Sequence, residues 1–263
     1  RQCSRGRVVI CMSSLTHKYW IMAACSLLLL SGCFNQSSSN TLRDKSIIYC
    51  SEGAPESFNP QLVTSMITID ATAHQIYNRL LEFQSAGTDL SPALANSWHV
   101  TRDGKIITFY LRKDVDFHET AYFKPTRKLN ADDVIFTFNR ILDSEHPFHN
   151  VGGGRYPFFQ SVGFVNLVNE IEKINDYTIR FKLNYPDSSF LANLATDFAI
   201  ILSKEYADQL AEQDKHSQID HMPIGTGPYI FKHYIHGSFV RYYKNPKYWR
   251  HEVKIEQLLF DVT

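Results

Sequence analysis

The sequence predicts a mixed domain of the α/β or α+β class, with antiparallel hairpins inserted into something larger. Three observations predict it. Strand-like and helix-like stretches are mixed along the 263 residues without strict alternation. Two pairs of strand-like runs are joined by tight-turn residues, Asp103-Gly104 and Asn175-Asp176. No segment of the chain repeats.

Each element has its own signal. Ser46-Ile47-Ile48-Tyr49-Cys50 is a short apolar run that reads as a buried strand. Gly53, Pro55, Asn59 and Pro60 make 51–65 a loop. A helix is expected from about Asp70 to Phe83. Ala73, Ile76, Tyr77, Leu80 and Leu81 fall on one face there, and Asp70 is the expected cap. Residues 97–101 and 105–111 flank the Asp-Gly turn as a hairpin, and Ile107, Phe109 and Leu111 alternate with Thr108 and Tyr110. Asn130 opens a helix to about Asp143, with Asp133 completing a variant capping box and Val134, Ile135, Phe138, Ile141 and Leu142 as its apolar stripe. A second hairpin pairs 170–174 with 178–183. Short helices are expected at 187–196, capped by Asp187, and 203–213, capped by Ser203. Residues 223–229 are a cluster of Gly and Pro, and strands are expected at 229–235, 239–244 and 253–262.

The N-terminal region carries a different message. Lys18 precedes an apolar run from Tyr19 to Leu30, too short to span a bilayer as a helix. A basic residue, a short apolar stretch and small residues make a secretory signal peptide. Leu30-Ser31-Gly32-Cys33 resembles a bacterial lipobox, which implies cleavage before Cys33 and a lipid on its thiol. Acyl chains would tether the protein to a membrane. Residues 34–40 then read as a polar leash. The expected organisation is a signal peptide with upstream residues over 1–32, a lipidated leash over 33–45, and the working domain over 46–263. That domain then lies outside the cytoplasm, in the periplasm or cell envelope.

Composition narrows the partners. Without Arg1, Arg5, Arg7 and Lys18, the 27 Lys and Arg fall to 23 against 27 Asp and Glu. No basic tract remains, so nucleic acid is not an expected partner. The 18 Phe and 14 Tyr read mainly as core. Cys3, Cys11 and Cys25 precede the cleavage site and Cys33 is the lipid acceptor, which leaves Cys50 alone. Cys50 is either a buried free thiol or one half of a disulfide whose other half lies beyond Thr263.

Catalytic signatures are not found. There is no dinucleotide or phosphate-loop glycine pattern and no Gly-x-Ser-x-Gly elbow. Gly152-Gly153-Gly154 reads as a loop. His146 and His149 are three apart, but Pro147 opposes the helix that would make them joint metal ligands. His118-Glu119 follows a strand without a second ligand nearby. Asp132-Asp133 suits the first turn of a helix, where carboxylates meet the helix dipole. No enzyme activity, metal or cofactor is expected.

Longer strings are more specific. Residues 47–61, from Ile47-Ile48-Tyr49-Cys50-Ser51-Glu52-Gly53 to Asn59-Pro60-Gln61, resemble the start of mature periplasmic dipeptide-binding proteins. Ile76-Tyr77-Asn78-Arg79-Leu80 is similar to their first helix. Residues 104–118, through Leu111-Arg112-Lys113-Asp114-Val115, resemble the signature of the family-5 solute-binding proteins, and Ile224-Gly225-Thr226-Gly227-Pro228-Tyr229 resembles their Gly-Thr-Gly-Pro motif. Residues 125–134 and Tyr156-Pro157-Phe158-Phe159 lean toward the Sap branch, associated with antimicrobial-peptide import.

The resemblance spans about 46–263 and implies a type II periplasmic-binding-protein fold. The chain would hold most of the first lobe, with an inserted α+β subdomain at about 84–195, and none of the second lobe. It implies a substrate-binding lipoprotein of an ABC importer that captures peptides by lobe closure and delivers them to a membrane permease. The matching first-lobe cleft wall is Thr64-Ser65-Met66, and the family commonly has Gly where this chain has Met66. A Met there would narrow a backbone-lined pocket or cover an apolar ligand. The Cys matching Cys50 is disulfide-bonded in relatives to one beyond the end of this chain. Haem or glutathione is the alternative cargo, a non-functional truncated fragment a further alternative, and an exported enzyme the least supported.

Overall fold

The computed structural model describes residues 45–85 and 87–263. The signal peptide, Cys33 and almost all of the leash therefore lie outside the described residues. Among the described residues no helix is long and apolar enough to cross a membrane.

Strand β1 (Ser46–Ser51) pairs in parallel with β10 (Gln257–Val262), so the two ends of the described chain meet in one sheet. Strands β8 (Tyr229–Ile235) and β9 (Phe239–Lys244) complete it antiparallel, in the order β1-β10-β9-β8. Between them β2 (Leu81–Phe83) and β3 (Leu90–Pro92) form a small ribbon. A second antiparallel sheet, ordered β4-β5-β7-β6, consists of β4 (Ala95–Val100), β5 (Ile106–Leu111), β6 (Val168–Asn175) and β7 (Thr178–Leu183). It lies within the stretch expected as an insert, and both hairpins form at the expected turns.

Helix α1 (Met66–Thr72) follows the first loop. Helix α2 (Ala131–Leu142) packs beside β6, followed by α3 (Pro157–Ser161), α4 (Phe164–Leu167), α5 (Phe190–Asn193) and α6 (Lys204–Glu212). The capping box of α2 forms as read: Asn130 Oδ1 accepts from the Asp132 N–H at 2.9 Å, and Asp133 Oδ2 accepts from the Asn130 N–H at 2.9 Å. Ser203 caps α6 by accepting from the Tyr206 N–H. Asp187 instead accepts from the backbone and hydroxyl of Ser189, and the regular helix is confined to 190–193.

The aromatic residues fill the core as expected. Phe138 sits between Phe159, Phe164 and Phe181, with ring centroids 5.5–6.3 Å apart, and Phe181 reaches Phe109 and Phe190 at 5.7 and 5.4 Å. All six are fully buried.

Two further expectations fail. The helix expected over 70–83 begins at Met66 and ends at Thr72. Its apolar stripe is buried, but the carbonyls that would continue the ladder are taken elsewhere. Gln75 O and Ile76 O accept from Tyr229 N and Gly227 N at 2.9 and 2.8 Å, Asn78 O from Ile201 N, and Arg79 O from Leu94 N. Tertiary partners outcompete the helix, and Asp70 sits inside α1 instead of capping it. Strand β1, read as buried, is mostly exposed. Among the described residues it is an edge strand paired only with β10, and Ile47, Ile48 and Tyr49 are 48%, 55% and 44% exposed.

Candidate functional site

The loop after β1 is held rigidly before it reaches Thr64. Asn59 Oδ1 accepts from the Gln61 N–H and caps the 3-10 turn Pro60–Leu62. Asn59 Nδ2 donates to Asp220 Oδ1 at 2.8 Å, and the Phe58 N–H donates to the Asp220 carbonyl at 2.9 Å. Asp220 also takes a bidentate pair from Arg140 of α2, at 2.9 and 2.6 Å. Arg140 Nε donates to Phe148 O, so this ion pair, wholly buried, has its guanidinium matched on three sides. The Tyr77 hydroxyl adds a bond to Phe58 O at 2.9 Å. Nothing in the sequence spacing signals this cluster, since Asn59, Arg140 and Asp220 are about 80 residues apart in turn.

Beyond that anchor the chain extends. Val63 has φ −137° and ψ 167°, and Ser65, at the N-cap position of α1, has φ −67° and ψ 120°. Thr64 is exposed, Ser65 half-exposed, and Met66 63% exposed. The Ser65 hydroxyl makes no cap bond, and its carbonyl accepts from Ile69 N. Among the described residues Thr64 has no hydrogen-bond partner. An extended, solvent-facing stretch with open backbone groups on a fixed base can pair with another extended chain.

Cys50 lies exposed on β1 without a disulfide among the described residues. The burial that the lone-thiol reading supposed is therefore not found. His146 and His149 engage backbone groups instead of one another. His146 Nδ1 accepts from Phe148 N, and His149 Nδ1 lies 2.8 Å from Arg140 O. Among the described residues no group of three His, Cys, Asp or Glu could hold a metal ion. His118 is buried, with Nε2 2.9 Å from Gly227 O.

A polar cavity of about 410 Å³ lies apart from this loop, between His74, Arg79, Asp197 and Arg250. Asp197 Oδ1 is shared at 2.9 Å by His74 Nε2 and Arg79. Burial pushes the Asp197 carboxyl up, but His74 and Arg79 pull it further down, so it sits below its ordinary range. Arg250 pairs with Glu82 at 2.6 Å. The charges in this cavity pair with one another, while Arg79 Nε is buried without a hydrogen-bond partner among the described residues. Neither it nor the Asn59–Arg140–Asp220 cluster was legible from motifs.

The described fold is that of a type II periplasmic binding protein. It superimposes on a crystal structure of a dipeptide binding protein from Pseudoalteromonas sp. SM9913 in complex with Met-Leu, with TM-score 0.81 and 50% identity, covering 83% of this chain and 43% of that one. The model of the bacterial extracellular solute-binding proteins, family 5 Middle, matches residues 89–263, and the chain belongs to this family. It is 46% identical over 223 residues to the dipeptide-binding protein of Escherichia coli K12, covering 85% of this chain and 42% of that protein. It is 40% identical over 255 residues to heme-binding protein A of Haemophilus influenzae, covering 94% of this chain and 47% of that protein. The chain thus spans less than half the length of the relatives it matches.

Proposed function

We propose that this chain is the first-lobe portion of a peptide-binding lipoprotein of an ABC importer, with an inserted subdomain at about 84–195. In this reading peptide lies against Thr64, Ser65 and Met66, a second lobe closes over it, and the closed form delivers it to the permease. The observation that carries the reading is the stretch 63–65 on its buried anchor, extended at Val63 and Ser65 and with Thr64 unpaired among the described residues, in a chain 46–50% identical to dipeptide-binding proteins. The proposal includes a periplasmic location, a lipid on Cys33 and a disulfide from Cys50 to a cysteine beyond Thr263. Exposure of Cys50 on an edge strand supports that pairing, because an exported thiol at a surface is open to oxidation.

Haem is the second reading, favoured by the similarity to heme-binding protein A. One set of measurements separates the two. The complete gene product, defined by reading the frame past codon 263, is titrated with Met-Leu by calorimetry and with haem by absorbance. Peptide binding at about 1 μM or tighter, without a haem Soret band, is the expected result. A saturating Soret signal with no peptide heat would overturn it. Mass spectrometry of the same product reads the acyl mass on Cys33 and the bridge at Cys50.

A further inference from the structure

We propose that Met66 sets the side-chain preference of the bound peptide, favouring an apolar side chain over glycine. The inference rests on the peptide-binding reading and adds a determinant that the backbone strip alone does not supply. Met66 is the first residue of α1 and is 63% exposed. Side chains on a helix lean toward its N-terminus, so the helix directs Met66 back toward the extended Thr64-Ser65 stretch. A chain pairing with that stretch must run beside the thioether.

The surroundings define the chemistry. Asp70 is one turn further along α1 on the same side as Met66, and its Oδ2 accepts from the Tyr49 hydroxyl at 3.0 Å. Ile47 shares its face of β1 with Tyr49, and both are exposed. The Tyr49 ring stacks on Phe260 at 5.0 Å, which fixes its place in the patch. Half-buried Asp70 thus lies between exposed Tyr49, beside Ile47, and exposed Met66. Lys45, exposed two residues before Ile47, and Asp70 leave the charge around the patch mixed. An exposed apolar patch beside an open backbone strip suits a peptide that brings an apolar side chain. The unbranched thioether adapts to several apolar shapes, so the preference is for a class of side chain instead of one residue.

The test uses the complete gene product with Met-Leu and Gly-Gly as probes. Wild type is expected to bind Met-Leu at least about tenfold more tightly than Gly-Gly. Met66→Gly is expected to weaken Met-Leu about five- to tenfold and to change Gly-Gly by less than about twofold, collapsing the preference. Met66→Leu, which keeps an apolar side chain at the start of α1, is expected to retain it. If wild type and Met66→Gly bind both peptides with the same ratio, the Met66 assignment is overturned while the peptide reading stands. If wild type binds neither peptide, both fall.

Discussion

His118 illustrates how one buried side chain makes stability depend on pH. It is 1% exposed, its Nε2 lies 2.9 Å from Gly227 O, and its Nδ1 has no partner among the described residues. The Asn245 amide donates to the same carbonyl at 3.0 Å, so His118 helps hold the Gly225–Gly227 turn. Burial lowers the imidazole pKa from 6.5 to about 4, against a small opposing effect of the Gly227 bond. In the unfolded chain the ring takes up a proton below its ordinary value, whereas the folded ring resists until about 4. The unfolded state then binds more protons between those values, so stability falls as pH drops through the window, by about 3 kcal/mol at most. His118→Gln keeps an amide donor for Gly227 and removes the titration. Urea midpoints across this pH window should fall steeply for wild type and more shallowly for the variant. Parallel slopes would refute the assignment. The sequence marked His118 only as a lone histidine. Its burial was not legible, because the covering turn lies over 100 residues away.

At the scale of elements, local signals succeeded where local chemistry decides. Asn130 with Asp133 fixed the start of α2, and Asp103-Gly104 fixed the first hairpin, where Gly104 takes φ +69°. They failed over 70–83, where distant groups take the carbonyls. A side chain on Gly225 would place its Cβ 2.0 Å from Ile76 O, so the Gly-rich turn docks on the stretch that pattern alone reads as helix. The anchor of the candidate site is likewise long-range. Arg140 and Asp220 are 0% and 3% exposed at the side chain. Asp220→Ala leaves a buried guanidinium unpaired and frees the Asn59 amide, and should cost about 3–5 kcal/mol. Replacing both partners, as Arg140→Met with Asp220→Leu, should recover most of that loss, because no buried charge remains. Urea denaturation measures both. A single variant within about 1 kcal/mol of wild type would show that the pair does not hold the loop.

For the molecule as a whole, the class, the two hairpins and the aromatic core were legible, whereas the exposure of β1 was not. A run such as Ile47-Ile48-Tyr49 records that the residues gain from burial, but it does not say which surface provides it. Within the described residues β1 has β10 on one side and an open edge on the other. Ile47 and Tyr49 project from one face and Ile48 from the opposite one, so both faces show apolar surface beside unpaired backbone groups. Open apolar edges template pairing with other chains. Residues 45–263, produced alone, should therefore bind a hydrophobic dye and self-associate as concentration rises. Ile48→Lys places a charge on that edge without touching the core formed by Phe109, Phe138 and Phe181, and should suppress both effects at unchanged melting temperature. Sedimentation velocity with dye fluorescence decides the matter. A monomer that binds no dye at any concentration would mean that the β1 edge is not the sticky surface its exposure indicates. Suppression by Ile48→Lys would locate the association at this strand.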